Sequence, residues 1–264
     1  MCLSIGPTNP TSARLSIKND TFLPGPPENL PVCETAFFFD FDGTLAQIVE
    51  NPSEARIESA VLSSLQTLHG LAGGALAIIS GREVADLDAR LSSFRPAAAG
   101  VHGLEWRLPD GSCHCTHLQV PDTLLGMTEV FAARHDGVLV EIKRGALSLH
   151  YRKRPDLAGQ CLELARRIAA RWPAVQVIDG KMVVEFKMGG RTKGDALAMF
   201  MSLPPFAGRR PVFVGDDTTD EAGFERLKEW DGISVKIGGG HTHALYRLPD
   251  TASFHRWLAR IAER

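Results

Sequence analysis

The sequence predicts an α/β fold, in which a doubly wound parallel sheet carries an inserted α+β domain. Three short runs, at residues 36–39, 76–79 and 212–214, are continuously apolar and end abruptly in small polar residues. Such runs are typical of parallel strands that are buried on both faces. The middle of the chain differs, because it repeats the order helix, strand, strand twice, with short turns at residues 144–145 and 179–180. Consecutive strands joined by short turns pair antiparallel, so this stretch is interpreted as a second domain.

The flanking regions supply the strands of the parallel sheet and the helices that cover it. Helix-like sequence follows the second apolar run at residues 83–91 and the third at residues 221–229, as expected for an α/β fold. A terminal helix that packs on the core is indicated by apolar residues at helical spacing: Phe254, Trp257, Leu258 and Ile261. Ligands of such sheets bind beyond the carboxyl ends of the strands, where Asp40, Ser80 and Asp216 are expected.

The inserted domain is predicted from two helices and two pairs of strands. The helices are expected at residues 122–134 and 157–172. The strands are expected at residues 138–143, 147–152, 175–178 and 182–187. Residues two apart on a strand share a face, so one face of this sheet is apolar and is covered by the second helix. The other face carries charged and hydrogen-bonding side chains: Glu141, Lys143, Ser148, His150, Arg152, Glu185 and Lys187. That face is suited to closing over a polar ligand, and the alternative is an ordinary solvated face.

Composition divides the chain into a tail and two domains. Residues 1–34 are rich in Pro, Ser, Thr and Asn and are interpreted as a flexible tail. The core domain is assigned to residues 35–110 and 188–264, and the inserted domain to residues 111–187. The tail lacks the apolar stretch of a secretory signal, so we expect a cytoplasmic location.

Composition and charge also exclude several classes of function. The 264 residues are 44% apolar and 23% charged. No apolar run reaches the roughly 18 residues that a membrane span requires. The net charge of −2 does not give the basic surface by which proteins bind nucleic acid. Five irregularly spaced cysteines do not make a disulfide framework. We therefore expect a monomer whose partner is a small molecule, with no nucleic acid and no membrane.

Two carboxylates follow the first predicted strand. Asp40 and Asp42 come at the end of this buried run, and Gly43 and Thr44 follow where a tight turn is needed. Neighbouring carboxylates repel each other unless a cation is present, and carboxylate oxygens are ligands that Mg²⁺ favours. The sequence therefore predicts a magnesium site at this end of the sheet.

Four segments of the chain resemble the motifs of the haloacid dehalogenase (HAD) superfamily. Residues 40–45 (DFDGTL) resemble the first motif, Ser80 the second, Lys193 the third and residues 215–217 (GDD) the fourth, in that order along the chain. Within the superfamily the chain is most similar to trehalose-6-phosphate phosphatases, through the segments SGR, GVHGLEWR, VEFK and GDDTTDE. The resemblance covers the chain from about Glu34 to its end. It implies a Rossmann-like core with a C2-type cap inserted between the second and third motifs.

The same resemblance implies a covalent mechanism. Asp40 would attack phosphorus to give an aspartyl phosphate. Asp42 would protonate the leaving sugar oxygen and then deprotonate the water that hydrolyses the intermediate. Mg²⁺ would be bound by Asp40, the backbone carbonyl of Asp42 and the carboxylate of Asp216, while Asp217 would steady bound water.

Both domains would hold the substrate. By resemblance, Ser80 and Lys193 would bind phosphate oxygens. The residues that would bind the sugar are Arg82, Glu141, Lys143 and Glu185. The reaction implied is hydrolysis of trehalose 6-phosphate. The alternatives are a phosphatase of another sugar or polyol phosphate, such as glucosylglycerol phosphate or mannosylglycerate phosphate, and a non-catalytic protein that binds sugar phosphates.

Two further features receive a plainer interpretation. His102 is interpreted as a core histidine rather than a ligand. Cys113, His114 and Cys115 with His117 superficially resemble a metal cluster, but they lack the Cys-x-x-Cys spacing of structural zinc sites. Zinc is therefore not expected there.

Overall fold

Two sheets with packed helices make up the fold. The structure is a computed structural model that describes residues 23–116 and 118–263. In these ranges the larger sheet has eight strands: β1 (Thr35–Phe39), β2 (Leu76–Ile79), β3 (Ala97–Gly100), β4 (Glu105–Arg107), β5 (Cys113–Cys115), β10 (Arg210–Gly215), β11 (Ile233–Ile237) and β12 (Tyr246–Leu248). The smaller sheet has four: β6 (Leu139–Lys143), β7 (Ala146–His150), β8 (Val175–Gly180) and β9 (Val183–Met188). The α-helices are α1 (Ser59–Leu71), α2 (Val84–Arg90), α3 (Asp122–Ala133), α4 (Ala158–Arg171), α5 (Lys193–Met201), α6 (Glu221–Arg226) and α7 (Thr251–Ala262).

The larger sheet confirms the predicted α/β core. Its strand order is β12-β11-β10-β1-β2-β3-β4-β5, and the strands from β12 to β3 pair in parallel. Strand β1 is a run of apolar residues because both of its faces are covered, and Phe37, Phe38 and Phe39 are fully buried. The chain leaves β1 first towards β2 and later returns on the other side through β10. This change of direction opens a crevice at the carboxyl ends of β1 and β10, where α/β proteins bind ligands.

The smaller sheet is antiparallel and forms the cap, as predicted. Hairpins β6–β7 and β8–β9 lie side by side through the pairing of β7 with β9. The second turn lies at Lys181 and Met182, two residues later than expected, because β8 continues until Gly180 pairs with Val183. The apolar face packs under α4. Edge strand β6 is less well covered, and Ile142 is 59% exposed.

Two segments differ from the predicted domain boundaries. Strand β5, which the sequence analysis places in the cap, pairs with β4 and belongs to the larger sheet. Part of the predicted tail also lies on the core. The carbonyl of Pro27 accepts a hydrogen bond from Trp257 Nε1 at 3.0 Å, and the carbonyl of Pro24 accepts one from the backbone N–H of Arg247 at 2.9 Å. A proline-rich segment keeps its carbonyls free, so it can pack without forming a strand. Residues 1–22 of the predicted tail lie outside the described residues.

The helices of the described ranges are short. None of them is long and apolar enough to cross a membrane.

Candidate active site

Three neighbouring strands bring their terminal side chains to one edge of the larger sheet. Asp40 directly follows β1, Ser80 directly follows β2 and Asp216 directly follows β10. The backbone N–H of Asp40 donates to the carbonyl of Val214 at 3.0 Å, which fixes the end of β1 against β10. All three side chains are buried. The sheet therefore brings the first, second and fourth motifs together at one edge, as predicted from the sequence.

Lys193 reaches the same point from the start of α5. Thr192 caps this helix and exchanges hydrogen bonds with Asp195, so the first helical residue is held in a fixed orientation. Lys193 Nζ donates to Asp40 Oδ1 and to Asp220 Oδ1, each at 2.7 Å. Burial acts to lower the pKa of Lys193, but the charges of Asp220 and Asp40 outweigh it and raise the pKa above its ordinary value. A permanent positive charge thus lies against Asp40.

Asp220 is a site residue to which the sequence analysis gave no role. Its side chain is fully buried, and Oδ2 accepts the backbone N–H groups of Asp216 and Asp217, each at 2.9 Å. Both oxygens are therefore occupied, one by Lys193 and the other by the loop after β10. The signal that could have found it is the capping-box spacing of Asp217-x-x-Asp220, which the structure contains.

A divalent cation fits the carboxylates at this edge. Among the described residues, one group of three potential metal ligands lies within 4.8 Å, namely Asp40, Asp216 and Asp220. Asp220 is saturated by hydrogen bonds, which leaves Asp40 and Asp216 as the residues of this group that could hold a cation. Asp216 Oδ1 is buried without a hydrogen-bond partner. A hard carboxylate oxygen without a partner, beside a second buried carboxylate, is what Mg²⁺ binds.

The protonation behaviour of these two carboxyls agrees with a cation site. Burial raises the pKa of Asp40 well above its ordinary value, against the opposing charge of Lys193. Burial and then the charge of Asp220 raise the pKa of Asp216 to about 6. Two buried carboxyl groups that lie close together favour binding of a cation, because the positive charge of the cation stabilises the ionised form of both groups.

Gly43 is required by the close approach of Asp216. A Cβ atom at position 43 would lie 2.2 Å from Asp216 Oδ2, and the φ angle of Gly43 is +81°. Both the space and the backbone conformation exclude a side chain. The glycine of the first motif therefore lets two strand-end loops meet.

Asp42 points to the mouth of the crevice and is held by Arg82. Arg82 Nε and Nη2 donate to the two carboxylate oxygens of Asp42, each at 2.7 Å. The same guanidinium donates to Asp86 Oδ2 at 2.6 Å and to the carbonyl of Pro52 at 2.8 Å. A bidentate fork fixes the plane of the carboxylate as well as its position. The structure thus places Arg82 against Asp42, while its predicted contact with sugar stays a prediction.

The polar face of the cap carries a connected group of charges. Lys143 Nζ lies 3.4 Å from Glu185 Oε1 and 3.6 Å from Glu141 Oε2. Glu141 Oε2 also lies 2.8 Å from His150 Nε2. Burial acts to raise the pKa of Glu141, but His150 and Lys143 outweigh it and lower the pKa to about 2. Burial is likewise outweighed at Glu185, where Lys143 and His102 hold the pKa below its usual range.

This polar face lies over the strand ends of the core. Lys143 Nζ donates to the carbonyl of Gly81 at 3.1 Å, and Thr218 Oγ1 donates to the carbonyl of Asp179 at 3.1 Å. At the tip of the β8–β9 hairpin, Lys181 Nζ forms a short contact with Asp216 Oδ2. Lys181 was missed because the turn was predicted two residues too early.

One cavity of about 130 Å³ between cap and core brings all the predicted site residues together. It is lined by these ten: Asp40, Asp42, Ser80, Arg82, Glu141, Lys143, Glu185, Lys193, Asp216 and Asp217. His102, His150, Arg152 and Lys181 line it as well. The polar cap face is turned to the core across this cavity, where Glu185 is buried and Glu141 is 45% exposed.

The cysteine segment lies away from this cavity. Cys113 and Cys115 are free thiols on β5, and His114 stacks on Trp106 with ring centroids 5.9 Å apart. His117 lies outside the described residues. Within the part of the chain that the structure describes, this segment does not form a group of three potential metal ligands.

Comparison with known proteins agrees with the fold. Residues 38–252 match the family model described as trehalose-phosphatase. The chain is 43% identical over 230 residues to the trehalose-6-phosphate phosphatase of Escherichia coli K12, which is 86% of each chain. Its fold is similar to the C-terminal domain of a Candida albicans trehalose-6-phosphate phosphatase, at 22% identity and a TM-score of 0.80, covering 92% of this chain and 98% of that one. A phosphatase of the HAD superfamily from Bacteroides thetaiotaomicron also shares the fold, at 12% identity and a TM-score of 0.57, covering 93% and 97%.

The parallel core, the aspartates at its strand ends and the inserted antiparallel cap define a phosphatase of the HAD superfamily. Both the family model and the relative from E. coli cover most of the chain. The chain belongs to the trehalose-phosphatase family.

Proposed function

We propose that the protein hydrolyses trehalose 6-phosphate to trehalose and inorganic phosphate, with Mg²⁺ bound, through an aspartyl phosphate at Asp40. The observation that carries the proposal is the position of the charged cap face directly across one cavity from Asp40. The cap can hold a polar leaving group there, while the core holds the phosphate.

Asp40 is oriented for attack by its partner Lys193. Because Lys193 holds Oδ1, the second oxygen of Asp40 is the one that forms the bond to phosphorus. The bond from phosphorus to the sugar oxygen breaks, and that oxygen takes a proton from Asp42. Ser80 and Lys193 bind the phosphate oxygens. Asp40, the backbone carbonyl of Asp42 and Asp216 would hold Mg²⁺, which would supply positive charge against the phosphate dianion.

Asp42 completes the cycle in the second half of the reaction. Water attacks the phosphorus of the aspartyl phosphate, its proton passes to Asp42, and the bond between Asp40 and phosphorus breaks to release inorganic phosphate. The fork of Arg82 binds both oxygens of an Asp42 carboxylate, so it positions the form of Asp42 that accepts this proton. Asp217 would steady water at this site.

The sugar is proposed to bind the cap through Glu141, Lys143 and Glu185. Charged groups form strong hydrogen bonds to hydroxyls, and these three side chains lie within one connected group. The monomeric state and cytoplasmic location expected from the sequence stay predictions.

The test is release of phosphate from a panel of substrates. Trehalose 6-phosphate, glucose 6-phosphate, glucosylglycerol phosphate and mannosylglycerate phosphate are compared with Mg²⁺ and with EDTA. We expect trehalose 6-phosphate to be hydrolysed fastest, and only with Mg²⁺. Equal rates on all four substrates would contradict the disaccharide assignment, and undiminished activity in EDTA would contradict the metal.

Two substitutions test the roles of the aspartates. Asp40→Asn is expected to abolish turnover, because the amide cannot act as the nucleophile. Asp42→Asn should slow turnover but leave Mg²⁺ affinity nearly unchanged in a calorimetric titration. Asp110→Asn, in an exposed loop of the core, is the matched control and should behave as wild type. Substantial activity in Asp40→Asn would exclude the covalent mechanism.

A further inference from the structure

His102 occupies an unusual position on the core beneath the cap. Its φ angle is 52° and that of the preceding Val101 is 47°, and this left-handed region is a genuine outlier for a β-branched residue such as Val101. The imidazole lies over Gly81, where a Cβ atom would be only 2.7 Å from His102 Nε2. Such backbone strain persists where the surrounding structure needs the side chain in one place.

The imidazole connects core and cap. His102 Nε2 lies 2.6 Å from Glu185 Oε2, and both side chains are more than 90% buried. The other carboxylate oxygen, Glu185 Oε1, lies 3.4 Å from Lys143 Nζ and from Ser148 Oγ. Glu185 therefore has partners from its own sheet on one oxygen and a single partner from the core on the other.

The protonation of His102 defines the direction of this hydrogen bond. Burial lowers the pKa of His102, against the opposing charge of Glu185, and so favours the neutral ring. Its Nδ1 atom is buried without a partner. An unpaired lone pair costs less there than an unpaired N–H, so the proton lies on Nε2 and is donated to Glu185.

The backbone of His102 belongs to the phosphate side of the site. Its N–H donates to the carbonyl of Ser80 at 3.0 Å, and Lys143 of the cap donates to the carbonyl of Gly81, the next residue. Contacts from the cap thus end on the segment that carries Ser80. The hydrogen bonds of His102 and Lys143 therefore connect the cap, which would hold the sugar, to the loop of the core that would hold the phosphate.

We infer that His102 is a positioning residue, which seats the sugar-binding carboxylate Glu185 of the cap on the loop that holds the phosphate. The inference rests on the proposed function, because it assumes that Glu185 binds the sugar. It makes His102 important for esters that have sugar hydroxyls and unimportant for esters that lack them.

The experiment compares wild type with His102→Ala, His102→Gln and the control His69→Ala. His69 lies on α1, where its ring contacts Phe94 at the far end of the core. Kinetics are measured with trehalose 6-phosphate and with p-nitrophenyl phosphate, which has no sugar. For His102→Ala we expect kcat/KM to fall about tenfold or more on the sugar phosphate, mainly through KM, as for loss of one charge-assisted hydrogen bond. On p-nitrophenyl phosphate it should change less than about twofold, because no sugar contact is lost. His102→Gln retains an N–H donor and should recover most of the loss.

A double-mutant cycle with Glu185→Ala identifies the partner. If His102 acts through Glu185, His102→Ala should have no further effect on sugar phosphate hydrolysis in the Glu185→Ala background. Equal losses on both esters, or independent effects of the two substitutions, would overturn the inference. Melting temperatures separate a folding defect from these outcomes. If wild type cleaves another sugar phosphate of the panel instead, the proposed substrate is wrong and the cycle is run on that ester. If it cleaves none, the coupling between His102 and Glu185 is measured from urea midpoints. The four proteins are wild type, His102→Ala, Glu185→Ala and the double variant.

Discussion

Replacing Asp220 by asparagine removes the charge that joins Lys193 to the loop after β10. The carboxylate is fully buried and accepts three hydrogen bonds, one from Lys193 and two from backbone N–H groups. An amide has one oxygen, so it can face either Lys193 or the two N–H groups. In both orientations its NH₂ group points at another donor.

The cost can be worked from these contacts. At least one hydrogen bond that involves a charge is lost, which is worth about 1.5 to 3 kcal/mol, and a buried donor loses its acceptor at a further cost of about 1 to 3 kcal/mol. Together these contributions lower the free energy of unfolding by about 2.5 to 6 kcal/mol, which brackets the range of about 3 to 5 kcal/mol found when one partner of a buried ion pair is removed. In either orientation Lys193 keeps one charged partner, Asp40, so its displacement should lower kcat by about 10-fold to 100-fold.

Urea unfolding followed by circular dichroism measures the first effect, and phosphate release measures the second. Asp250→Asn is the matched control. Asp250 Oδ1 accepts the N–H of Ser253 at 2.7 Å at the start of α7, and asparagine caps helices equally well, so a change below about 0.5 kcal/mol is expected. An Asp220→Asn protein within about 1 kcal/mol of wild type would refute the assigned network.

Three other substitutions test separate parts of the structure. Gly43→Ala should lower the free energy of unfolding by about 2 kcal/mol or more, since its Cβ meets Asp216 and its φ is positive; the same urea midpoint as wild type would contradict this. Arg82→Lys replaces the planar guanidinium, which binds both oxygens of Asp42, by an ammonium group. We expect kcat to fall about tenfold, because one charged hydrogen bond to Asp42 is lost. An unchanged kcat on trehalose 6-phosphate would show that the bidentate contact is dispensable. Phe186→Ala removes a fully buried ring from the cap core and should cost about 3 to 5 kcal/mol in urea unfolding; a loss below about 1 kcal/mol would mean that the cap repacks.

Residues that directly follow a predicted strand could be assigned to the site in advance. Asp40, Ser80 and Asp216 each follow a buried apolar run, and the ends of parallel strands meet at one edge whatever the details of packing. The polar face of the cap was likewise predictable, because side chains alternate along a strand. The three differences, the β8–β9 turn, strand β5 and the packed part of the predicted tail, lie at the ends of elements or domains, where local pattern is weakest.

The sequence by itself determined the fold class, the edge of the sheet that carries the nucleophile and the charged face of the cap. Only the tertiary structure decided which polar and charged side chains pair with each other. Arg82 pairs with Asp42 across 40 positions, His102 with Glu185 across 83, and Lys193 with Asp40 across 153. Periodicity describes each segment alone, whereas these pairs depend on how strands, loops and cap are brought together in space. The buried carboxylate of Asp220 is the same case, because its role exists only once α5 and the loop after β10 lie side by side.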